Sequence, residues 1–331
     1  EPGPACYGRG GDSPTVTDAD LLLGKLAAEG FAGGSMTLDT DAATGAIERD
    51  LASPLAIDGA TAAFGLCEVV DENMSNAARM HAVENGMELA DYTMIAFGGA
   101  APLHAARLCE KLGIDELLVP PGAGVGSAIG FLRAPFGFES VRSAFLRLSA
   151  FDAGKVNAVL KELTEEATSF VRSGAPDSVP TLECTAYMRY AGQGWEVPVP
   201  VEVRDYATGE VDVFRKGFED VYEQLFGRLI DKLDIEIVSW SLRASSEAYP
   251  APRVARMEPK RQLAPAEKRN MFEAKTAGFV TANVVSRAEM VPGDCIAGPA
   301  VITENETTTI ITDGQEAIFQ ADGCLLVRSK A

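Results

Sequence analysis

Apolar residues recur at helical spacing through a long stretch of the chain that contains no proline. Between Ile57 and Asn85 they fall three or four positions apart, at Ala62, Ala63, Leu66, Val69, Val70, Met74, Ala77, Ala78 and Met80. This spacing places the apolar side chains on one face of an α-helix. The pattern therefore predicts a single helix over Ile57–Asn85, about 40 Å long at ~1.5 Å per residue.

Short apolar runs alternate with helical patterns in the next fifty residues. Thr93–Phe97 is a short apolar run that stops at Gly98–Pro102, and the helical pattern of Leu103–Leu112 follows. A second run, Leu117–Val119, leads into the glycine-rich segment Pro121–Gly126. Strand, glycine turn and helix therefore follow one another twice, and the order predicts an α/β layer up to about residue 135.

The pattern in the remaining chain predicts a region of helices and strands, a linker and a region of short strands. Helices and strands are predicted in the order helix Asp152–Val171, strands Leu182–Tyr190 and Trp195–Val203, helix Val213–Phe226 and strand Ile235–Leu242. Proline and charge dominate Pro250–Lys268, and Asp-Gly pairs punctuate the last sixty residues. We expect four segments: 1–148, an α+β middle domain 149–250, a linker 251–269 and a β-rich domain 270–331.

Composition and charge narrow the function classes. The chain has 331 residues, about two domains at roughly 150 residues each, and 47% of them are hydrophobic. Its net charge of −19 repels phosphate backbones and anionic lipid, so we expect no nucleic acid and no membrane partner. No apolar run reaches the ~18 residues of a membrane span. A soluble protein is expected.

Cysteine and histidine usage points to a reducing compartment. The six cysteines form no Cys-x-x-Cys pair, and the two histidines, His81 and His104, have no neighbouring ligand at metal-site spacing. We therefore expect a cytoplasmic location and no transition metal held by this chain.

Two glycine segments are candidates for chemistry. Gly98 and Gly99 follow a strand and precede a helix, where backbone can approach a nucleotide closely, although a plain turn has the same spacing. His104, one turn into that helix, could reach a ligand or pair with a neighbouring carbonyl group. Arg9 lies between Gly8 and Gly10 and could bind a phosphate or carboxylate or form a surface salt bridge.

Acidic residues and a cysteine near the start of the chain have structural interpretations. Asp18 and Asp20 follow Thr17 at the beginning of a predicted helix, where capping is favoured over metal binding. Cys6 is near Arg9, but no histidine is close in sequence to act as its base, so a structural role is expected.

Several motifs together resemble one protein family. They are GPACYGRGG at Gly3–Gly11, PTVTDA at Pro14–Ala19, AFGGAAPLHA at Ala96–Ala105, MRYAGQ at Met188–Gln193 and GPAVITE at Gly298–Glu304. The combination resembles the second half of the hydantoinase A / 5-oxoprolinase / acetone carboxylase family, over nearly the whole chain. The segments Met80–Gly86 and Pro121–Pro135 are more similar to the ATP-dependent ketone carboxylases within it.

The resemblance implies a fold, cofactors and site residues. The fold would be part of an actin/Hsp70/sugar-kinase-like (ASKHA) α/β nucleotide-binding fold followed by a β-rich α+β region, and the cofactors ATP and Mg²⁺. Implied catalytic residues are His104 and Arg9. Cofactor-binding residues would be Gly8, Gly10, Phe97, Gly98, Gly99, Ala100 and Pro102, with Phe97–Ala100 matching the adenosine-contacting loop. No metal ligand is implied in this chain.

The family's phosphate-binding loops, with sequences like DxGGT, do not occur here. The chain also begins within a proline- and glycine-rich turn sequence without an initiator methionine. We therefore expect half of a nucleotide site, completed by another chain that carries the N-terminal half or by an N-terminal half that has been removed. Exposed apolar surface near Glu1–Asp20 and Ile57–Asn85 is the expected contact.

The resemblance implies the C-terminal portion of the nucleotide-binding subunit of an ATP-dependent ketone carboxylase of the acetone or acetophenone type. Such an enzyme would phosphorylate an enolised ketone or bicarbonate and work with other subunits. One alternative is an ATP-dependent hydrolase of a cyclic amide, such as a hydantoin or 5-oxoproline. The other is a non-catalytic assembly subunit.

Overall fold

The computed structural model describes residues 3–248, 250 and 253–330. Its helices are α1 Val16–Leu22, α2 Thr40–Ile47, α3 Ser53–Leu55, α4 Gly59–Glu84, α5 Ala101–Leu112, α6 Gly126–Arg133, α7 Ala153–Gly174 and α8 Val211–Phe226. Its strands are β1 Met94–Ile95, β2 Glu116–Val119, β3 Gly137–Arg147, β4 Thr181–Tyr190, β5 Val197–Val201, β6 Ile235–Ser245, β7 Arg261–Gln262, β8 Lys268–Glu273, β9 Gly278–Ser286, β10 Asp294–Ala297, β11 Ala300–Thr303, β12 Thr308–Ile311, β13 Gln315–Phe319 and β14 Leu325–Ser329.

The chain forms two compact units whose boundaries differ from the expected segments. Unit 1 comprises residues 1–131 and 252–331, and unit 2 comprises residues 132–251. The sequence separated 270–331 as a domain of its own, but β14 forms an antiparallel ladder with β2, which joins the last residues to unit 1. The expected linker 251–269 contains β7, which pairs in parallel with β10.

The main sheet of unit 1 combines strands from both ends of the sequence. Its strand order is β1-β2-β14-β13-β10-β7, and β1 and β2 are parallel with Met94 opposite Leu117. The predicted α/β layer is therefore present, but the strands that complete it come from beyond residue 252. A second sheet of unit 1 has the order β12-β11-β9-β8.

The predicted long helix is confirmed as α4, which begins and ends within two residues of the expected bounds. The Asp58 side chain caps it by accepting a hydrogen bond from the Thr61 amide at 2.9 Å. Its buried face carries small residues and also two polar ones, Asp71 and Ser75. Small side chains at Ala62, Ala63 and Cys67 let α4 pack closely against α1.

Unit 2 is an antiparallel sheet of order β3-β6-β4-β5 with α7 and α8 packed on it. Its core surrounds Trp240, whose indole donates a hydrogen bond to the Ala144 carbonyl at 3.2 Å. Helices α7 and α8 carry their apolar residues at helical spacing and lie close to their predicted positions. Strand β3 was not predicted, and it pairs with β6 from Gly137 to Arg147 with one irregularity between Ser143 and Leu146.

Backbone crowding fixes the end of α1 against β8. Gly24 has φ +73°, and a Cβ atom there would lie 2.0 Å from the Asn270 carbonyl oxygen. Beside it, the Phe272 amide donates to the Leu23 carbonyl at 2.9 Å. Only glycine therefore fits at this contact.

Within the described ranges, no single helix is both long and apolar enough to cross a membrane. Two helical segments, Thr40–Leu55 and Gly59–Glu84, are long and apolar enough when they are taken together, by length and composition only. The angle between them is 90°.

Candidate functional site

The glycine loop Phe97–Ala100 connects β1 to α5 in unit 1, as the sequence predicted. Gly98 has φ +119°, a conformation that residues with a side chain rarely adopt. Its amide donates a hydrogen bond of 2.7 Å to the Ala123 carbonyl. The loop conformation is therefore set by glycine and held by the neighbouring segment Gly122–Gly126.

A third segment braces the loop from the C-terminal region. The Thr307 hydroxyl donates to the Gly99 carbonyl at 2.8 Å. A Cβ atom at Gly124 would lie 2.6 Å from the Glu306 carbonyl oxygen, so the two segments touch through backbone. The loop is held by residues about 25 and 210 positions away along the chain, which fixes its shape before any ligand arrives.

The outer side of the loop is open. Phe97 is 57% exposed, and Gly99 and Ala100 are exposed, whereas Pro102 is buried. A Cβ atom at Gly99 would meet only the Glu306 carbonyl oxygen, at 3.6 Å, so a ligand can approach this backbone. Ala100 precedes α5 without a side-chain cap. This exposed backbone leaves room for a flat group to lie against it.

His104 points away from that surface into the interior of unit 1. The residue is 4% exposed; its Nε2 lies 3.1 Å from Asp20 Oδ2 and its Nδ1 lies 2.9 Å from Asp71 Oδ1. The Asp71 contact lacks hydrogen-bond geometry, so it is an ionic contact. The structure thus places His104 between two carboxylates, not facing a ligand as its sequence position suggested.

The protonated form of His104 is favoured here, because each ring nitrogen faces a carboxylate oxygen and only the protonated imidazole carries a proton on both nitrogens. Burial alone would lower the pKa of His104, but Asp20 and Asp71 raise the pKa to about 9. Burial likewise opposes the charge of Asp20, yet Lys25 and His104 lower the pKa of that carboxyl. Two carboxylates and two cations therefore balance inside unit 1.

Lys25 and Cys67 complete this buried cluster. Lys25 Nζ lies 2.8 Å from Asp20 Oδ1, and Cys67 Sγ lies 3.5 Å from the same oxygen. Burial is the main cause that raises the pKa of the Cys67 thiol, so it stays protonated. Lys25, Cys67 and Asp71 also line a cavity of about 40 Å³. We call Asp20, Lys25, Cys67, Asp71 and His104 the buried ionic cluster.

The buried ionic cluster could not be assembled from the sequence alone. Asp20 was interpreted as a helix cap, and Lys25 and Asp71 were not singled out. One available signal was Asp71, which falls four positions after Cys67 and eight after Ala63, on the inward face of the predicted helix. A charged residue on such a face requires a buried partner.

The segment around Arg9 forms a turn at the surface. Gly8, Arg9 and Gly10 are exposed, and the Arg9 side chain makes no ion pair with any residue the structure describes. The contacts of this segment are with α1 and α2, whereas the loop Phe97–Ala100 contacts Gly122–Gly126 and Thr307. The structure records no contact that brings Arg9 to His104.

Asp18 anchors this segment. Its carboxylate accepts hydrogen bonds from the amides of Ala5 at 3.2 Å, Cys6 at 2.7 Å and Thr15 at 2.8 Å, and from the Thr15 hydroxyl at 2.8 Å. Burial works against its charge, but these donors lower the pKa of Asp18. Burial and then Asp18 raise the pKa of Cys6 to about 12, in keeping with a structural thiol.

No group of three or more His, Cys, Asp or Glu residues within 3–248, 250 and 253–330 is arranged to hold a metal ion. The exposed backbone at Gly99 and Ala100, by contrast, is open on its outer side, where a flat ligand has room to approach.

Family models match most of the chain. Residues 1–139 match the hydantoinase/oxoprolinase model, and residues 148–328 match the model of the hydantoinase/oxoprolinase C-terminal domain. The chain is 30% identical over 319 residues to caprolactamase subunit alpha of Pseudomonas jessenii, covering 95% of this chain and 46% of that protein. It is 26% identical over 329 residues to the acetone carboxylase beta subunit of Xanthobacter autotrophicus, covering 94% and 45%.

A solved structure shows the same fold. The nucleotide-free structure of acetone carboxylase matches 98% of this chain and 48% of its own chain, with a TM-score of 0.78 and 24% identity. The chain spans about half the length of the curated relatives it matches. Its architecture is the hydantoinase-type ASKHA-like fold, and by its sequence the chain belongs to the hydantoinase/oxoprolinase family.

Proposed function

We propose that this chain supplies the adenosine-binding side of the nucleotide site in an ATP-dependent ketone carboxylase. The observation that carries the proposal is the braced, outward-facing glycine loop Phe97–Ala100. Relatives named acetone carboxylase and acetophenone carboxylase support the carboxylase class. In the reaction, the γ-phosphoryl group of ATP would pass to the oxygen of an enolised ketone or of bicarbonate, releasing ADP before the carbon–carbon bond forms.

The role of this chain in that reaction is positioning. Exposed Phe97 offers a ring face for a base, and the open backbone at Gly99 allows a sugar to approach. We assign His104 a positioning role, because its two ionic contacts hold α5, whose start determines where the loop ends. Arg9 remains a proposed anion-binding residue because its guanidinium is exposed and pairs with no carboxylate among the described residues. Gly8 and Gly10 give its turn the required backbone freedom.

Mg²⁺, bound together with ATP, would neutralise charge on the transferred phosphoryl group. Because the described residues offer no metal-holding group, we propose that its protein ligands come from the other half of the site, which also supplies the phosphate loops. That half would come from the length that the relatives have in addition to this chain.

The outward face of α4 supports a partner there. Val69, Met80 and Val83 are 63%, 59% and 73% exposed and lie on one side of the helix, opposite its buried residues. Asn73 and Asn76 lie between them, and the charged residues Glu72, Arg79 and Glu84 lie at the edges of this face. An apolar strip with a polar, charged rim is typical of a protein interface.

A cyclic amide is the second candidate substrate. Caprolactamase subunit alpha is 30% identical over 95% of this chain, a higher identity than that of the acetone carboxylase subunit. Both candidates share activation of a carbonyl oxygen by ATP. They differ in the step that follows activation. In the carboxylase a new carbon–carbon bond forms, and in the cyclic amide hydrolase the carbon–nitrogen bond of the ring is hydrolysed.

Nucleoside binding tests the adenosine assignment directly. Saturation-transfer NMR with adenosine, competed by Mg·ATP, should detect binding to the chain and lose it in Gly99→Val, because the branched side chain occupies the open face. Gly65→Val on exposed α4, where a Cβ atom meets nothing within 4 Å, is the matched control and should bind like the parent. Equal adenosine signals in the parent and Gly99→Val would overturn the assignment.

Substrate feeding tests the reaction in the assembled enzyme. ATP- and ketone-dependent fixation of labelled bicarbonate supports the carboxylase, and ATP-dependent ring opening of a lactam supports the second candidate. An assembled complex that binds no nucleotide would contradict both and leave a non-catalytic assembly subunit.

A further inference from the structure

Unit 2 carries an open pocket that the proposed reaction does not use. The pocket has a volume of about 370 Å³ and lies where the β4–β5 loop meets the end of α8. Its lining residues are Gln193, Gly194, Trp195, Val197, Tyr222 and Phe226. The size falls within the range of sites for small molecules, which runs from about 300 to 1,000 Å³.

Aromatic side chains form its walls. Trp195 is 76% exposed and Phe226 is 50% exposed, whereas Tyr222 is buried behind them. The rings of Tyr222 and Phe226 lie 4.5 Å apart, and Tyr190 packs edge-on against Tyr222 at 4.9 Å. Exposed aromatic faces on a rigid backing favour a ring or other flat apolar group.

The pocket contains one ordered polar pair. Gln193 Nε2 donates to the Tyr222 hydroxyl oxygen at 2.9 Å. This bond uses an acceptor position of the hydroxyl and fixes the direction of the Gln193 carboxamide. Gln193 Oε1 and the Tyr222 hydroxyl proton have no partner among the described residues, so the pocket offers one acceptor and one donor next to each other.

A cyclic secondary amide matches that pair. In a lactam the N–H and C=O groups are cis and lie on the same edge, so the N–H can donate to Gln193 Oε1 while the carbonyl accepts from Tyr222. The trans amide of a peptide backbone points its two groups in opposite directions and cannot satisfy both. The lining residues carry no charge, which favours a neutral ligand.

We propose that this pocket binds a small, neutral lactam, with its ring between Trp195 and Phe226. The inference deepens the cyclic-amide candidate, on which it rests for its biological meaning, by giving the ring a place in unit 2. The binding test below uses no ATP and no turnover. A failure of lactam binding is therefore distinguishable from a failure of the nucleotide assignment.

Tryptophan fluorescence reports on this pocket. The chain has two tryptophans, Trp195 in the pocket wall and Trp240, which is 1% exposed in the core. Three probes separate the contributions: 2-piperidone has N–H and C=O, while N-methyl-2-piperidone and cyclohexanone have C=O alone. We expect a saturable emission change with 2-piperidone and about fivefold weaker binding of the other two, the effect of one lost hydrogen bond.

Variants locate the site. Gln193→Ala and Tyr222→Phe should each weaken 2-piperidone binding about fivefold, and Trp195→Phe should abolish the fluorescence change while NMR still detects binding. Val179→Ala, at an 88% exposed position of unit 2 outside the pocket lining, is the control and should bind like the parent. Thermal melting confirms that each variant is folded.

Three results would overturn the proposal. Equal affinity for all three probes would mean apolar contact alone, as for an aliphatic side chain of a partner protein. Absence of saturation by 2-piperidone would mean that no lactam site exists. A fluorescence change that persists in Trp195→Phe would place the ligand elsewhere.

Discussion

His104 Nε2 and Asp20 Oδ2 lie 3.1 Å apart in the interior of unit 1, although 84 positions separate them in the sequence. The contact ties α5, which begins at the glycine loop, to α1. Asp71 on α4 approaches the other ring nitrogen at 2.9 Å, so one imidazole joins three helices. The position of the loop therefore depends on charges that no ligand touches.

Replacing that imidazole should destabilise unit 1. We expect His104→Gln to lower the free energy of unfolding by about 3–5 kcal/mol, because two buried carboxylates lose a cation. Urea denaturation followed by circular dichroism measures the change. The matched control is His81→Gln, the other histidine of the chain, which is exposed on α4 and should stay within about 0.5 kcal/mol of the parent. Equal losses in the two variants would contradict the ionic role.

The same contact predicts a pH dependence. The pKa of His104 is raised from 6.5 to about 9, so the folded state binds this proton more tightly than the unfolded state. Its stabilisation is complete below about pH 6.5 and is lost as pH rises through about 9, a change on the order of 3 kcal/mol. Denaturation midpoints between pH 6 and 9.5 measure it. A parent and a His104→Gln variant with the same slope over that range would contradict the assignment.

Asp18 should control the order of the segment that carries Arg9. Asp18→Ala removes the acceptor of four hydrogen bonds, and we expect a loss on the order of 3 kcal/mol. Trypsin should then cleave after Arg9 faster than in the parent. Asp12→Ala is the control, because the Asp12 carboxylate is exposed and, among the described residues, accepts a hydrogen bond only from Ser13. Unchanged cleavage in Asp18→Ala would show that other contacts hold the segment.

Gly24 and Gly30 separate backbone strain from crowding. Both have positive φ, +73° and +81°, but only Gly24 lies against a neighbour, with its absent Cβ 2.0 Å from the Asn270 carbonyl oxygen. Gly24→Ala should therefore cost about 2–5 kcal/mol, and Gly30→Ala about 1 kcal/mol. Thermal and chemical denaturation measure both. Similar costs in the two variants would mean that α1 and β8 separate easily.

Patterns within a short stretch of sequence were sufficient to predict single helices and turns. Periodic apolar positions predicted α4, and glycines between an apolar run and a helical pattern predicted the loop Phe97–Ala100. Strand β3 was not predicted from the sequence because its exposed residues include Val141 and Phe145. The alternation of apolar and polar residues that is typical of a half-buried strand is therefore weak there. The family resemblance was confirmed over both family models.

Long-range contacts were the part that the sequence did not reveal. The loop is braced by Ala123 and Thr307, and the buried ionic cluster joins Asp20, Asp71 and His104 from three helices. Pairing of opposite charges in a core depends on which helix faces meet, and spacing within one helix carries no information on that. The same limit applies to β14, whose partner β2 lies about two hundred positions earlier.

The place of β14 between β2 and β13 imposes an order on the folding of unit 1 during translation. A ribosome that has finished residues 1–131 has made two of the six strands of the main sheet, and the edge of β2 stays unpaired until Leu325–Ser329 emerge. Unit 2, continuous from 132 to 251, can fold in the meantime. A nascent chain therefore carries an open strand edge from the synthesis of β2 until Leu325–Ser329 are made, and a chaperone that covers such edges would act on unit 1.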